Sequence, residues 1–349
     1  MTEQELMASP LYAEILARPG DDGPREEMAD WLLSRHPDRA RHIRCQLNVA
    51  RLERRSIVWW MFDSEYKNLD RLPFEEEQAL EARWSGPVKS LGWIKKWDFV
   101  RGFVAHARLD APRFLEHAAE LFTRFPIRHV SLDGAADVID ELAACPLLER
   151  LVGLDIARNQ LGDRHVATLV ASPHVRHLRD LDLGSNQIGL AGYEALCASP
   201  NLPELLDINL YNNAAPEPTP HWTSSDSDGY YVDSLPPIGV ELERKYGRKR
   251  WLRAPALFAT YPVTYVAFDS DEPPYPGRPD VRVLQVLAND HARLVEERDG
   301  RLVFEYDIGE GERRLPLSPE QTARFLDKGI YFLFWLEGDI RAHPERYVR

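Results

Sequence analysis

The chain has 349 residues, of which 44% are apolar and 28% are charged. This composition is that of a folded globular protein, and it excludes wholesale disorder, a collagen-like repeat and a coiled-coil rod. The net charge of -13 gives no basic footprint for duplex nucleic acid, so nucleic acid is disfavoured as the main partner.

The first 98 residues predict a helical domain. Apolar residues recur at helical spacing in 10–18 and in 24–33, with the turn formers PGDDGP between them, and a third helix follows through Ile43 and Leu47. The stretch 56–82 predicts one or two further helices, in which Trp59 and Trp60 fill a core or, alternatively, form a binding surface. No secretory signal and no apolar run of membrane-spanning length is present, so we expect no membrane partner.

A repeat organises the middle of the chain. The segments LVGLDIARN (151–159), LRDLDLGSN (178–186) and LLDINLYNN (205–213) share one frame, and their last asparagines, Asn159, Asn186 and Asn213, recur at a fixed period. Each segment predicts a short strand followed by a turn, and a helical stretch follows each of the first two. The asparagine amides are expected to have a structural role, because they can bond backbone groups of the turns that neighbouring units leave unpaired.

The same frame continues upstream in degraded form, at Val130 and Leu132 and before that at Ala107 and Leu109. We therefore expect about five strand–helix units in residues 99–213. One unit cannot bury its own apolar face, so the units should stack. The predicted fold class is α/β: a short solenoid with parallel strands on its concave side and helices on its convex side, a helical cap before it and an α+β domain after it.

Two segments carry a family resemblance. Residues 151–213 resemble leucine-rich repeats of the ribonuclease-inhibitor type. Residues 19–52 are similar to the repeat-companion domain that precedes such repeats in bacterial paralogues. The match lies in Asp21-Asp22, Pro24-Arg25, Ala29-Asp30-Trp31-Leu32, Asp38, Ile43-Arg44 and Gln46, with departures at Met28 and Arg41-His42. The resemblance implies a repeat fold with a capping domain, and it implies no catalytic residues.

Polar residues at the outward positions of the repeat strands are the candidate partner-binding residues. They are Asp155, Asp180, Asp182, Asp207, Asn209 and Tyr211. Neighbouring strands lie about 4.8 Å apart, so residues one period apart should stack into an acidic stripe. Stacked like charges cost stability unless something compensates them, which favours a basic or hydrogen-bond-donating protein partner. The alternative is that aspartate at the fifth position is simply a habit of this repeat type.

The C-terminal third predicts a linker over 214–228 and an α+β domain over 229–349. Residues 281–288 predict a strand, and 292–297 with 301–309 predict a hairpin across an Arg-Asp-Gly turn. Ser318 followed by Pro319 and Gln321 predicts a capped helix start. The apolar run 330–336 should be buried.

Common catalytic signatures, such as a phosphate-binding glycine loop or a GxSxG turn, are absent from the sequence. We therefore expect no enzymatic activity, no cofactor and no metal. The acidic run 269–272 and His291 are interpreted as solvated loop residues. The basic segment 244–253, with Trp251, could bind an acidic partner or single-stranded nucleic acid, although a solvated helix face is favoured.

Three cysteines without a paired spacing, Cys45, Cys145 and Cys197, favour a reducing compartment and hence a cytoplasmic location. The leading hypothesis is a non-enzymatic protein–protein interaction scaffold that binds its partner on the concave face of the repeats. The alternative is an enzyme or toxin-neutralising module in residues 229–349 that the repeats target.

Overall fold

The structure is a computed structural model. It describes residues 3–53, 74–219, 222–225, 229–232, 235–249, 251–253, 282–286, 292–297, 301–307, 312–328, 333, 335–336, 339–341 and 343–347. These residues form a mixed α/β protein that contains a sheet with parallel strands. The predictions made for Trp59, Trp60, 269–272 and His291 fall outside the described residues.

Helices make up most of the described residues 3–53 and 74–89. They are α1 (Glu3–Met7), α2 (Pro10–Ala17), α3 (Gly23–Leu32), α4 (Pro37–Glu53), α5 (Phe74–Trp84) and α6 (Gly86–Lys89). Ser9 begins α2 because its side chain accepts a hydrogen bond from the Tyr12 backbone at 3.2 Å and Pro10 occupies the first helical position. Tyr12, Met28 and Ile43 are fully buried in one small core with Phe103 of the following hairpin.

A six-stranded sheet follows, with its strands in chain order. The strands are β1 (Ile94–Val100), β2 (Phe103–Asp110), β3 (His129–Asp133), β4 (Gly153–Asp155), β5 (Asp180–Asp182) and β6 (Asp207–Asn209). The first pair is antiparallel, whereas β2 to β6 are all parallel. Helices connect the parallel strands: α7 (Ala111–Arg124), α8 (Ile139–Ala143), α9 (Asp163–Ala171) and α10 (Leu190–Ala198).

The middle residues of the short strands show where the hydrophobic core lies. Leu154, Leu181 and Ile208 are register partners and are buried in one hydrophobic cluster with the connecting helices. Because side chains alternate across a strand, the residues on either side of them point to the opposite face of the sheet. Five parallel strands therefore lie in the region where the sequence predicts about five units. The antiparallel strand β1, which begins before residue 99, is an addition to that prediction.

The three repeat asparagines lie in consecutive turns. Asn186 Oδ1 accepts from the Asn159 backbone at 2.9 Å, and its amide group donates to carbonyl oxygens of two strand exits. Asn213 Oδ1 accepts from the Ile188 backbone at 3.1 Å and its amide reaches back to the Leu183 carbonyl at 3.0 Å. Each asparagine therefore bonds its own turn to the preceding one.

The predicted linker contains a strand. Within 214–228, β7 (Trp222–Ser225) pairs in antiparallel fashion with β8 (Gly229–Val232). This short strand lies inside the range for which the sequence predicts a linker, in a stretch whose turn formers also suit a hairpin. The helix α11 (Pro237–Tyr246) then contributes Leu242 to the core of the first sheet.

The remaining C-terminal elements form a second sheet in the order β12-β11-β10-β9. Its strands are β9 (Arg282–Val286), β10 (Ala292–Glu296), β11 (Leu302–Asp307) and β12 (Glu312–Pro316), followed by α12 (Pro319–Lys328). The predicted hairpin is confirmed by the β10–β11 pairing. The predicted helix start is also confirmed, since Ser318 Oγ accepts from the Gln321 backbone at 3.2 Å and the Gln321 side chain accepts from the Ser318 backbone at 2.9 Å.

Candidate functional site

The candidate site is the face of the first sheet that points away from its core, which we call the polar face. Its members on β2 to β6 are His106, Arg108, His129, Ser131, Gly153, Asp155, Asp180, Asp182, Asp207 and Asn209. Register pairs Asp155 with Asp182 and Asp180 with Asp207, as the repeat period predicts.

Burial divides the predicted partner-binding residues into two groups. Tyr211 is 56% exposed and Asp155 is half-buried, so a partner can reach both. Asp180 and Asp207 are only 1% exposed, and Asp182 and Asn209 are also buried. The burial of these four residues corrects the expectation that a partner can reach the whole stripe of stacked polar residues.

The burial of Asp180 has a local cause at Gly153, the residue between it and His129 across the sheet. A Cβ atom at Gly153 would lie 1.9 Å from His129 Cδ2, so the imidazole occupies the space that a side chain would take on β4. From there His129 Nε2 lies 3.7 Å from Asp180 Oδ2. Because Gly153 has no side chain, His129 reaches across β4 and covers Asp180.

Local hydrogen bonds explain why the side chains of Asp182 and Asn209 are buried although they belong to the polar face. Oδ1 of Asp155, Asp182 and Asn209 each accepts from the backbone N–H two residues later, at 2.9, 2.8 and 2.9 Å. The residue three positions after each acceptor has a φ of 58°, 55° and 57°, in the left-handed region. These side chains therefore stabilise a strained turn at each strand exit, which is a structural role that the sequence analysis left as the alternative.

The carboxylic acid of Asp182 has a strongly raised pKa. Burial, together with the nearby charge of Asp155, raises the pKa of Asp182 to about 7, against the hydrogen bonds that Gly184 and Asn209 donate to it. Asn209 Nδ2 lies 3.0 Å from Asp182 Oδ1. A carboxyl group with this pKa changes its charge close to neutral pH.

Replacing Asp182 with asparagine should stabilise the protein increasingly as the pH rises. The pKa of Asp182 is higher in the folded protein than its ordinary value of 3.8, so the protonated side chain favours folding below that value and this contribution is lost as the pH rises through about 7. Relative to wild type, we expect Asp182→Asn to gain about 2–4 kcal/mol between pH 4 and pH 8. Urea unfolding at both pH values measures this gain, with the exposed Asp140→Asn as control. An equal effect of Asp182→Asn at both pH values would contradict the assignment.

The opposite end of the polar face carries compensating cations. Arg108 Nη2 donates to Asp133 Oδ1 at 2.7 Å, and Lys95 Nζ donates to Asp133 Oδ2 at 2.9 Å and also to Asp110. The hydrogen bond from Arg108, with that from Lys95, lowers the pKa of Asp133 below its ordinary value despite partial burial. The acidic groups are therefore neutralised at β2 and β3.

Three side chains that the sequence analysis did not select form a hydrogen-bonded chain across β1, β2 and β3. His106 Nδ1 lies 2.6 Å from Asp98 Oδ2, and His106 Nε2 lies 2.9 Å from Ser131 Oγ. No sequence signal could have indicated this chain, because the residues belong to one irregular hairpin and to a degraded repeat.

A second polar cluster lies between α4 and α5. His42 Nε2 is 3.2 Å from Glu81 Oε1 and 3.9 Å from Glu77 Oε1, and the side chain of Gln46 donates to both glutamates. Since ligand atoms of His42, Glu77 and Glu81 all lie within 4.8 Å of one another, the spacing suits a metal ion.

The protonation of His42 argues against metal ligation. Arg39 Nη1 lies 3.2 Å from His42 Nδ1 and can only donate, so in the neutral imidazole the proton belongs on Nε2, which then donates to Glu81. Ligation through Nε2 would move that proton toward the arginine. Burial, reinforced by Arg39, lowers the pKa of His42 to about 3, so the imidazole is neutral and its tautomer decides whether Nε2 can bind a metal. We therefore interpret the cluster as a satisfied hydrogen-bond network.

Two residues of the basic segment 244–253 have contacts within the chain. Trp251 is 2% exposed and packs in the core of the first sheet, so its indole is not available for stacking on a base. Lys245 Nζ is paired with Glu194 at 2.6 Å. The candidates for chemistry in 229–349, namely 269–272 and His291, lie outside the described residues, so the module named as the alternative stays a prediction.

Comparison with known proteins supports the repeat. A family model described as Leucine Rich repeat matches residues 174–197, which include β5 and most of α10. The chain therefore contains a leucine-rich-type repeat, and repeats of this kind are typical of protein–protein interaction. No curated protein and no solved structure matches the chain. Along the described ranges, none of the helices combines the length and the apolar character needed to cross a bilayer.

Proposed function

We propose that the chain is a cytoplasmic bacterial scaffold whose ribonuclease-inhibitor-type repeats form a short solenoid and bind a basic segment of a protein partner. Support for the solenoid comes from the chain-order sheet and from the asparagines that bond consecutive turns. Recognition of this kind needs a shaped surface and no chemistry of its own.

The proposed contact lies at the carboxyl ends of β4 to β6, around Asp155, Asp182 and Tyr211. The observation that carries it is the register pair of carboxylic acids beside an exposed tyrosine. Among the described residues, no lysine or arginine nitrogen lies within 4.0 Å of either carboxylate, whereas Asp133 at the other end of the face has two such partners. A lysine or arginine from a partner would supply the missing charge, and Tyr211 would pack on its aliphatic stem.

Selection of random peptides displayed on phage tests this proposal. We expect the wild-type chain to enrich sequences with more lysine and arginine than the starting library. Asp155→Asn and Tyr211→Ala should each weaken binding of the enriched peptides by about tenfold or more. Asparagine keeps the oxygen that accepts from the Ala157 backbone, so this variant changes charge without removing the turn.

The control is Glu116→Gln, which removes an exposed carboxylate from α7, away from the polar face. It should leave peptide binding unchanged. Enrichment of neutral or acidic peptides, or equal loss of binding in the Glu116 variant, would rule out the proposed contact.

A further inference from the structure

The arrangement of Asp98, His106 and Ser131 goes beyond partner binding. A carboxylate accepts only, so in the neutral imidazole Nδ1 carries the proton and donates to Asp98 Oδ2 across 2.6 Å. Nε2 then has a lone pair, and it accepts the hydroxyl proton of Ser131 across 2.9 Å. This order of serine, histidine and carboxylate is the one that activates a serine for attack on an acyl carbon.

Three neighbouring strands hold the hydrogen-bonded side chains of Asp98, His106 and Ser131 in place. Asp98 and His106 are register partners in the antiparallel pair β1–β2, next to a register shift after Asp98 that alters the direction of that strand. Ser131 lies on β3, two residues after His129, the register partner of His106. Strand positions are more rigid than loop positions, so the hydrogen bonds are preorganised.

The environment of Asp98 favours its ionised form beside the imidazole of His106. Burial acts to raise the pKa of Asp98, but the hydrogen bond from His106 and the positive charge of Lys96 hold it below its ordinary value. An ionised Asp98 fixes the tautomer of His106 and stabilises the imidazolium that forms when Ser131 loses its proton.

A cation is available in the same row. Arg108 is the register partner of Ser131 and belongs to the same face. Its guanidinium is held by Asp133 at 2.7 Å. In the proposed reaction this guanidinium, although ion-paired with Asp133, would face the oxyanion that develops on a substrate carbonyl.

We propose that Ser131 is a nucleophile, activated by His106 and positioned by Asp98, that takes the acyl group of a small carboxylic ester. The Ser131 Oγ–carbon bond forms as the hydroxyl proton passes to His106 Nε2. The bond from the acyl carbon to the alcohol oxygen then breaks, and the alcohol leaves with the proton from His106. A water molecule then forms a bond to the acyl carbon as it gives a proton to His106 Nε2. The Ser131 Oγ–carbon bond breaks, the carboxylic acid leaves, and Oγ takes the proton back from His106.

Limited access predicts a preference for small acyl groups. Ser131 is 5% exposed and His106 is 7% exposed, so we take a short acyl chain as the substrate group that best fits beside Oγ in the proposed reaction. Acetyl esters should therefore acylate the protein faster than hexanoyl esters. This activity would overturn the sequence-based expectation that the chain is not an enzyme.

A fluorophosphonate probe and p-nitrophenyl acetate test the proposal on the full chain. We expect the probe to modify Ser131, identified by peptide mass spectrometry, and the acetate to give a burst of p-nitrophenol. Ser131→Ala and His106→Gln should each lower the labelling rate by about 100-fold or more, and Asp98→Asn should lower it by a smaller factor. Ser185→Ala is the control, since this serine bonds Asn212 and no histidine.

The outcomes separate a nucleophile from a structural serine. Labelling of Ser131 that disappears in a folded His106→Gln variant, with its urea midpoint measured alongside, supports the proposal. No labelling of Ser131, or labelling that persists without His106, overturns it. The Ser131→Ala variant should still bind the basic peptides. A failure of Ser131 labelling would therefore leave the proposed function standing.

Discussion

Asn186→Ala is expected to cost about 3–5 kcal/mol of unfolding free energy. The side chain is 8% exposed and its two ends bond two consecutive turns of the repeat region. Oδ1 accepts from the backbones of Asn159 and Leu161 at 2.9 and 3.1 Å, and Nδ2 donates to the carbonyls of Ile156 and Leu183 at 3.1 and 2.9 Å. Alanine leaves these four backbone groups without that partner in a buried place.

Urea unfolding monitored by circular dichroism measures this loss, and two related variants sharpen it. Asn186→Asp keeps the acceptor but loses the amide donor, so its cost should fall between wild type and alanine at low pH, where the carboxyl is neutral. Asn213→Ala should cost less than Asn186→Ala, because Asn213 is half-buried in the last turn. A loss for Asn186→Ala no greater than about 1 kcal/mol, the value of an exposed bond, would show that the asparagines are dispensable.

The period of the repeat explains how much of the first sheet could be predicted. Strands one repeat apart must pair in register when their turns are bonded by equivalent asparagines, so the sequence alone places Asp155 beside Asp182. The degraded units were also found, because Ala107 and Val130 keep the apolar positions even where the asparagine is lost. The repeat does not predict strand β1, because this strand pairs with β2 in antiparallel fashion through the Arg101-Gly102 turn and follows no repeat.

Burial on the polar face could not be predicted in the same way. Which aspartate is covered depends on the residue across the sheet, and Gly153 opens the gap through which His129 reaches Asp180. Spacing shows which side chains are neighbours but does not show whether one of them leans over another. For this reason the exposed part of the predicted site shrinks to its edge at Asp155 and Tyr211.

The chain of Asp98, His106 and Ser131 shows the same limit for chemistry. The sequence contains no nucleophile motif around Ser131. Such motifs mark a serine on a sharp turn, whereas Ser131 lies within strand β3. Its histidine and aspartate come from a hairpin whose register shifts within β1. Only the three-dimensional pairing brings the three groups to hydrogen-bonding distance.

The second large effect is expected at the join between the N-terminal helices and the sheet. Arg101, at the tip of the β1–β2 hairpin, donates through Nη1 to the Gly20 carbonyl at 2.8 Å and to Asp22 Oδ1 at 3.0 Å. Both side chains of the ion pair are 1% exposed. Beside it, the Gly102 backbone donates to Gln46 Oε1 at 2.6 Å, so the hairpin tip is held by the turn before α3 and by α4.

Arg101→Met should therefore destabilise the protein by about 3–5 kcal/mol, because it leaves the buried Asp22 carboxylate without this guanidinium while keeping most of the side-chain volume. Asp22→Asn in the same background should recover part of the loss, since it removes the buried charge that this guanidinium pairs with. Arg164→Met, which breaks an ion pair with Asp140 whose side chains are 81% and 62% exposed, should cost less than about 1 kcal/mol. Thermal and urea unfolding of these three variants, and of Asp22→Asn alone to complete the cycle, form the test. The decisive readout is the interaction energy of the double-mutant cycle, and a value near zero would mean that hydrophobic contact around Phe103, instead of the ion pair, holds the helices on the sheet.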